Sequence, residues 1–306
     1  MTALRHSTLS IRACALVLAA LLLLAACDRG AATGAAQDLV IAREAYSTGY
    51  FLEAETAYER YLQSDPQGKH RLEAWTRLVD ISTGVKGDTG KAVTLLETAT
   101  LEFASRPKDN WALLFRLGEL YEQLGQRKKA LDAWGRCLDT AGGDTARAVQ
   151  AQMRMAIADR ALGKSDTAVD LLTQSITQAP DVPTKSQAMY ELAQTYGMTW
   201  NWPKAKAILE EILALEKAPQ EVKVMSTYLL VDAYEAESNL PKARELLLSL
   251  KDTYPNPEVI MARLASLGQR TESDVAAKLR PGTGSPSSDM ENAGSAEVRR
   301  RRVSAK

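Results

Sequence analysis

Histidine is almost absent from this chain, with only His6 and His70 in 306 residues. His6 precedes an apolar run near the N-terminus, so His70 alone is left to serve a folded domain. A Ser-His-Asp or Cys-His nucleophile could be built on that residue only, and a two-histidine metal site cannot be built at all. Cysteine is nearly as scarce. Cys14 lies inside the apolar run and Cys27 directly follows it, which leaves Cys137 as the single thiol of the main body and excludes an internal disulfide there. Charge of one sign is lacking too: 38 basic residues face 38 acidic ones, and without the first 26 residues, which carry Arg5 and Arg12, the balance is −2. Such a balance argues against a general nucleic-acid or polyanion binder. Nor is there a long hydrophobic run. Ala13 to Ala26 is uncharged and 14 residues long, short of the roughly 20 that span a bilayer as a helix.

What the chain has is a repeat. Ala54, Ala92, Ala130, Ala168, Ala205 and Ala243 are separated by 38, 38, 38, 37 and 38 residues. Thirteen positions before each stands an apolar residue (Ile41, Val79, Leu117, Met155, Leu192, Leu230), and four positions after each a large one (Tyr58, Leu96, Trp134, Leu172, Leu209, Leu247). A period of this size with apolar spacing of three and four predicts stacked pairs of antiparallel helices. In the third unit, Trp111 to Leu124 carries a helical apolar stripe and Gly125 breaks it; a second helix follows around Ala130 and ends at Gly142-Gly143. The repeat alanine marks where the two helices of a pair cross too closely for a larger side chain. Cys137 falls on the second helix, where a small packed side chain is expected.

The turns repeat as well. Gly49, Gly87, Gly125 and Gly163 each stand five residues before the alanine, a place that calls for positive φ. Asn201-Trp202-Pro203 and Asn239-Leu240-Pro241 put an Asn where it can cap and a Pro in the first helical turn. One stretch imitates a phosphate loop. In Gly84-Val85-Lys86-Gly87-Asp88-Thr89-Gly90-Lys91, however, five residues separate Gly84 from Gly90, and Ala92 stands where Ser or Thr would bind magnesium. It is expected to be the helix turn of the second unit. His70, at the entrance to a first helix, is expected at the surface, and pairs such as Glu210-Glu211 on solvated helix faces.

Leu117-Gly118, Tyr121, Gly125, Ala130 and Trp134, with Pro66, Pro180 and Pro255 after second helices, resemble the tetratricopeptide repeat. The resemblance covers about Gln37 to Pro255. It implies an all-α fold, a right-handed superhelical solenoid of six helix pairs closed by a C-terminal capping helix, Pro257 to Leu267. The period exceeds the family's usual 34, which implies helices about a turn longer. Asp80 and Asp159 depart from the family pattern, the fourth unit being the least regular. The domain division that follows is 1–26 signal peptide, 27–36 linker, 37–268 repeat array with cap, and 269–306 disordered tail, rich in Pro, Gly and Ser and ending in the basic Arg299 to Arg302.

Leu24-Ala25-Ala26-Cys27 resembles the lipobox of bacterial lipoproteins, which implies that Cys27 becomes the lipidated first residue of an exported protein. Covalent lipid apart, no cofactor is expected. Asp28 resembles an inner-membrane retention signal. The tetratricopeptide resemblance further implies a concave groove lined by first helices. Carried over by position, its candidates are Arg43, Tyr46, Arg77, Phe115, Glu119, Gln150, Met153, Arg160, Tyr190, Gln194, Tyr228 and Asp232, with Ile157 among their neighbours. Aromatic and Met anchors beside Gln and Arg suit an extended or helical peptide. The expected role is a membrane-anchored, non-enzymatic scaffold or assembly factor for proteins of the bacterial envelope. An accessory subunit of an envelope enzyme or transport system is the alternative. Neither nucleic acid nor a small-molecule substrate is expected as partner.

Overall fold

The computed structural model describes residues 34–279, with side chains described as far as Gln269. The expected signal peptide, Cys27 and the basic cluster at Arg299 to Arg302 lie outside these residues. Helices alternate with short turns throughout: α1 (34–47), α2 (Phe51–Ser64), α3 (Arg71–Asp80), α4 (Thr89–Glu102), α5 (Pro107–Gln123), α6 (Arg127–Thr140), α7 (Thr145–Ala161), α8 (Ser165–Gln178), α9 (Val182–Met198), α10 (Trp202–Ala214), α11 (Gln220–Ala236), α12 (Leu240–Ser249) and α13 (Pro257–Leu279). The all-α repeat of helix pairs is as expected. First helices α5, α7, α9 and α11 are each 17 residues long. The stretched period is thus spent on helix length. Among the described residues no helix is long and apolar enough to cross a membrane.

All six repeat alanines are completely buried, and the large residue four positions on is buried beside each. Each of those large side chains contributes roughly 1.5–3 kcal/mol by leaving water. The third pair shows why small residues are needed opposite them. A Cβ added at Gly118 would stand 2.3 Å from Trp134 Nε1 and 2.5 Å from its Cε2, so the indole lies directly on the α5 backbone. Its Nε1 donates to the Phe115 carbonyl at 3.2 Å. Cys137 is fully buried, its thiol pushed up to about 12 by burial.

Each first helix ends in the same way. Gly49, Gly87, Gly125 and Gly163 all have positive φ, and Trp200 (φ 60°) and Ser238 (φ 58°) take the same place in the fifth and sixth pairs. The following amide reaches back five residues, as Gln126 N to Tyr121 O and Asn239 N to Tyr234 O, both 2.8 Å. This is a left-handed helix stop that satisfies otherwise orphaned carbonyls. In the second pair α3 continues as a π turn, Ile81–Val85, and the reach becomes six, Asp88 N to Ser82 O at 2.8 Å. The phosphate-loop look-alike is this stop: Asp88 caps α4 by accepting from Lys91 N at 2.8 Å, and Lys91 Nζ bonds Glu55 at 2.7 Å. Asn239 caps α12 through its side chain, whereas Asn201 makes no such bond to α10.

The chain divides into two compact units, the first ending at Lys223 and the second starting at Val224. The second has its own core of Val224, Val231, Ala243, Leu247, Leu250, Ile260 and Leu267, in which α13 packs on α12. The cap is longer than expected. α13 runs on to Leu279, so the boundary placed at Gly268 falls inside a helix. A single helical glycine costs about 1 kcal/mol, and no proline follows until Pro281. The remainder of the expected tail, 280–306, lies outside the described residues.

Candidate functional site

The first helices of successive pairs are tied together by ion pairs, and these occupy much of the face expected to form the groove. Arg43 on α1 donates to Glu73 on α3 at 2.7 Å and contacts His70 Nδ1 at 3.0 Å. His70 lies at the surface as expected, its side chain 34 % exposed, with Arg43 against its ring. Asp80 accepts from Arg116 on α5 at 2.6 Å, and Glu119 on α5 from Arg154 on α7 at 3.0 Å. Arg160 on α7 meets Glu191 on α9 at 2.9 Å with little exposure on either side, and also donates to the Glu191 carbonyl at 3.0 Å. In the second compact unit, Arg263 of α13 clasps Asp232 and Glu235 of α11. Burial alone would lower the Arg263 pKa, and the pair with Asp232 raises it instead.

Several groove candidates are thus committed to partners within the chain. Arg43, Glu119, Arg160 and Asp232 hold neighbouring helices together. Arg77 lies over the Tyr46 ring at 4.5 Å, and Tyr46 meets Phe51 edge-on at 5.6 Å. Tyr228 packs against Tyr254, ring centres 4.7 Å apart, with Arg263 over its face. Tyr190 is 8 % exposed, and its hydroxyl accepts from Gln194 Nε2 at 2.8 Å. It is a covered residue, not an open anchor. The ion-pair partners Arg116, Arg154 and Glu191 were missed although their signal was in the repeat. All three stand fourteen residues before the alanine, four after one groove position and three before another, on the border of the same helical face.

Three candidates converge. Phe115 on α5 and Gln150 and Met153 on α7 line an open cleft of about 400 Å³, joined by Arg154 and Ile157 on α7 and by Gln187 and Glu191 on α9. Phe115 is held in place by stacking on Trp111, centres 4.9 Å apart and planes 19° from parallel. Arg154 lies 5.8 Å over the Phe115 ring, and Gln187 donates to Glu191 at 3.3 Å. Because Arg154 and Glu191 already answer Glu119 and Arg160, the cleft offers little uncompensated charge. It presents a patch of Phe, Met and Ile with two amide side chains at its edge. Among the described residues no group of three His, Cys, Asp or Glu is placed to hold a metal ion.

The tetratricopeptide repeat family model matches residues 112–143 and 150–181. These are the third and fourth pairs, including the unit in which Asp159 breaks the pattern. Structures with similar folds include a Podosopora anserina protein of nearly identical TPR-like repeats, 23% identical, TM-score 0.51, covering 62% of this chain and all of that one. Pseudomonas aeruginosa PilF is 13% identical, TM-score 0.50, covering 76% of this chain and 99% of its own. A chain of the APC/C hetero-tetramer Cut9–Hcn1 is 15% identical, TM-score 0.50, covering 76% of this chain and 42% of that one. The fold is that of tetratricopeptide repeats. A comparison with curated protein sequences finds no match. Within the tetratricopeptide pattern Asp159 has a plain role: it is buried and accepts from Lys164 at 3.1 Å, across the turn that ends its own helix.

Proposed function

We propose that this tetratricopeptide-repeat protein is a scaffold that holds a segment of another protein in the cleft between α5, α7 and α9, and that it does so anchored to a membrane of the bacterial envelope through lipid on Cys27. The observation that carries the binding reading is the convergence of Phe115, Met153 and Ile157 on one open cleft while the charged side chains around them are paired. A ligand side chain entering there would trade water for an apolar wall, and Gln150 and Gln187 could meet its backbone. The fold supports the same reading, since stacked helix pairs usually serve to hold other proteins. For the anchor the support is Leu24-Ala25-Ala26-Cys27 behind an apolar run.

A photo-crosslinking residue at Gln150 should trap a partner in intact cells, and Phe115→Ala with Met153→Ala should abolish that adduct while leaving helical content unchanged. Undiminished trapping would move binding away from the cleft. Separately, the parent protein should incorporate labelled palmitate in intact cells and Cys27→Ala should not, and a parent that carries no label would defeat the lipid anchor without touching the cleft.

A further inference from the structure

Among residues 34–223 eight large apolar side chains are exposed, and six of them stand where a first helix turns into its second: Tyr50, Leu52, Val85, Leu124, Met198 and Trp200. Because helices alternate in direction with short turns, all these turns lie at the same end of the helices. The third and fourth are neighbours in fact, since Gly125 to Lys129 and Leu162 line one shallow cleft. Isolated exposed apolar residues need no explanation, but a row confined to one end does.

Trp200 is the most telling of them. It is 78 % exposed, and it occupies with φ 60° the left-handed position that four other pairs give to glycine. An indole there strains the backbone, and inside the chain it gains an edge-on contact with Trp202 at 6.3 Å. Met198, two residues earlier, is exposed beside it.

Charge at these turns differs from that of the whole chain. The five segments 47–53, 85–91, 123–129, 161–167 and 198–204 hold seven basic and three acidic residues, a net of +4, although the full sequence is neutral. Three of the seven basic residues answer acids outside these segments, Lys86 and Lys91 at Glu55 and Lys164 at Asp159, so the uncompensated charge is concentrated in the third turn. Arg127, Lys128 and Lys129 in the third turn are exposed and in no ion pair among the described residues, Lys129 lying over the Tyr121 ring at 5.2 Å. Indole and phenol rings with aliphatic side chains and unpaired cations are the combination that settles at the boundary between lipid head groups and acyl chains.

We infer that this edge rests on an anionic lipid surface, with Trp200, Met198, Tyr50 and Leu52 entering the head-group layer and Arg127 to Lys129 meeting its negative charge. Exposed indole, phenol and aliphatic side chains beside cations suit the boundary layer of a bilayer, whereas an acidic protein surface would leave Trp200, Met198 and Leu52 without an apolar counterpart. The inference stands with or without lipid on Cys27.

The test uses the full chain carrying Cys27→Ser, so that no acyl chain can be attached, and follows hydrogen exchange of the turn amides with vesicles of phosphatidylcholine, alone or with one-third phosphatidylglycerol. Amides in 47–53, 123–129 and 198–204 should be protected by the anionic vesicles and not by the neutral ones. The N-terminal apolar run is common to every arm. Reversing Arg127, Lys128 and Lys129 to Glu should raise the lipid concentration needed for half protection at least a hundredfold, on the order of fivefold per cation lost. Trp200→Gly relieves the strained φ and so keeps the fold, yet should weaken protection of 198–204. Absence of protection at the turns, equal protection by neutral vesicles, or protection by polyglutamate where anionic vesicles give none would each overturn the inference, the last by assigning the edge to an acidic protein.

Discussion

Gly118→Ala should destabilise the protein, and Gly135→Ala should stabilise it, although both add one methyl group inside a helix of the same pair. In an open helix interior the change gains about 0.8–1 kcal/mol because alanine surrenders less backbone entropy than glycine. Gly135 meets that condition, since nothing lies within 4 Å of the Cβ it would acquire. At Gly118 the new Cβ would meet three atoms of Trp134 at 2.3, 2.5 and 2.7 Å. The indole has nowhere to retreat: it is fully buried and its Nε1 is bound to the Phe115 carbonyl. Overpacking of this kind costs roughly 1–3 kcal/mol, and a displaced indole N–H forfeits about 1 kcal/mol more. After the helix-propensity gain a net loss of about 1–3 kcal/mol remains. Urea unfolding followed by circular dichroism would measure both variants. Trp134→Leu supplies the cross-check: in that background Gly118→Ala should be neutral or stabilising, a coupling that contact between the two sites requires. If Gly118→Ala raises stability as much as Gly135→Ala, the close approach of α5 and α6 is refuted, and with it the reason given for small residues at the helix crossings.

Ser238→Gly should stabilise the second compact unit by about 1 kcal/mol, because it places glycine at a left-handed position that costs other residues roughly 1–2 kcal/mol; an unchanged or lower thermal midpoint would argue against the shared helix stop. Glu55 gives a pH prediction. Burial alone would raise its pKa, but hydrogen bonds from Lys86 and Lys91 hold it below the usual 4.5. A depressed folded pKa means that the stabilisation is complete above the unfolded value and disappears as pH falls through the folded one. Glu55→Gln should therefore lose about 1 kcal/mol at neutral pH, a figure kept small because both lysines are partly in water. The difference from the parent should shrink below about pH 4, and a difference constant from pH 7 to pH 3 would count against this ion pair.

The repeat was legible because it rests on packing that tolerates few residue types. The alanine at each crossing and the glycine at the helix stops are dictated by backbone geometry, and a period survives in sequence when geometry forces it. Trp200 and Ser238 evade that rule, as φ near 60° is strained but allowed for them, so two of six stops could not be read from glycine. The fourth pair hides its core for a related reason. Gln152 stands where the third pair has Leu114 and Ser175 where it has Cys137, and they bury a hydrogen bond of 3.3 Å in place of an apolar contact. The candidate groove was read less well. Spacing places a residue on a helical face but does not say whether the facing charge belongs to a ligand or to the next helix. Arg43, Glu119 and Arg160 lie on the expected face and are taken by Glu73, Arg154 and Glu191. Apolar candidates fared differently according to the neighbour across the interface. Tyr190 is covered, while Phe115 and Met153 are half-buried and line the cleft together with the polar Gln187 and Glu191 of α9. The ion pairs thereby serve the cleft as well as the stack. With their own charges neutralised they fix the spacing of α5, α7 and α9, and the apolar floor between those helices is left as the part of this face that a partner can still use.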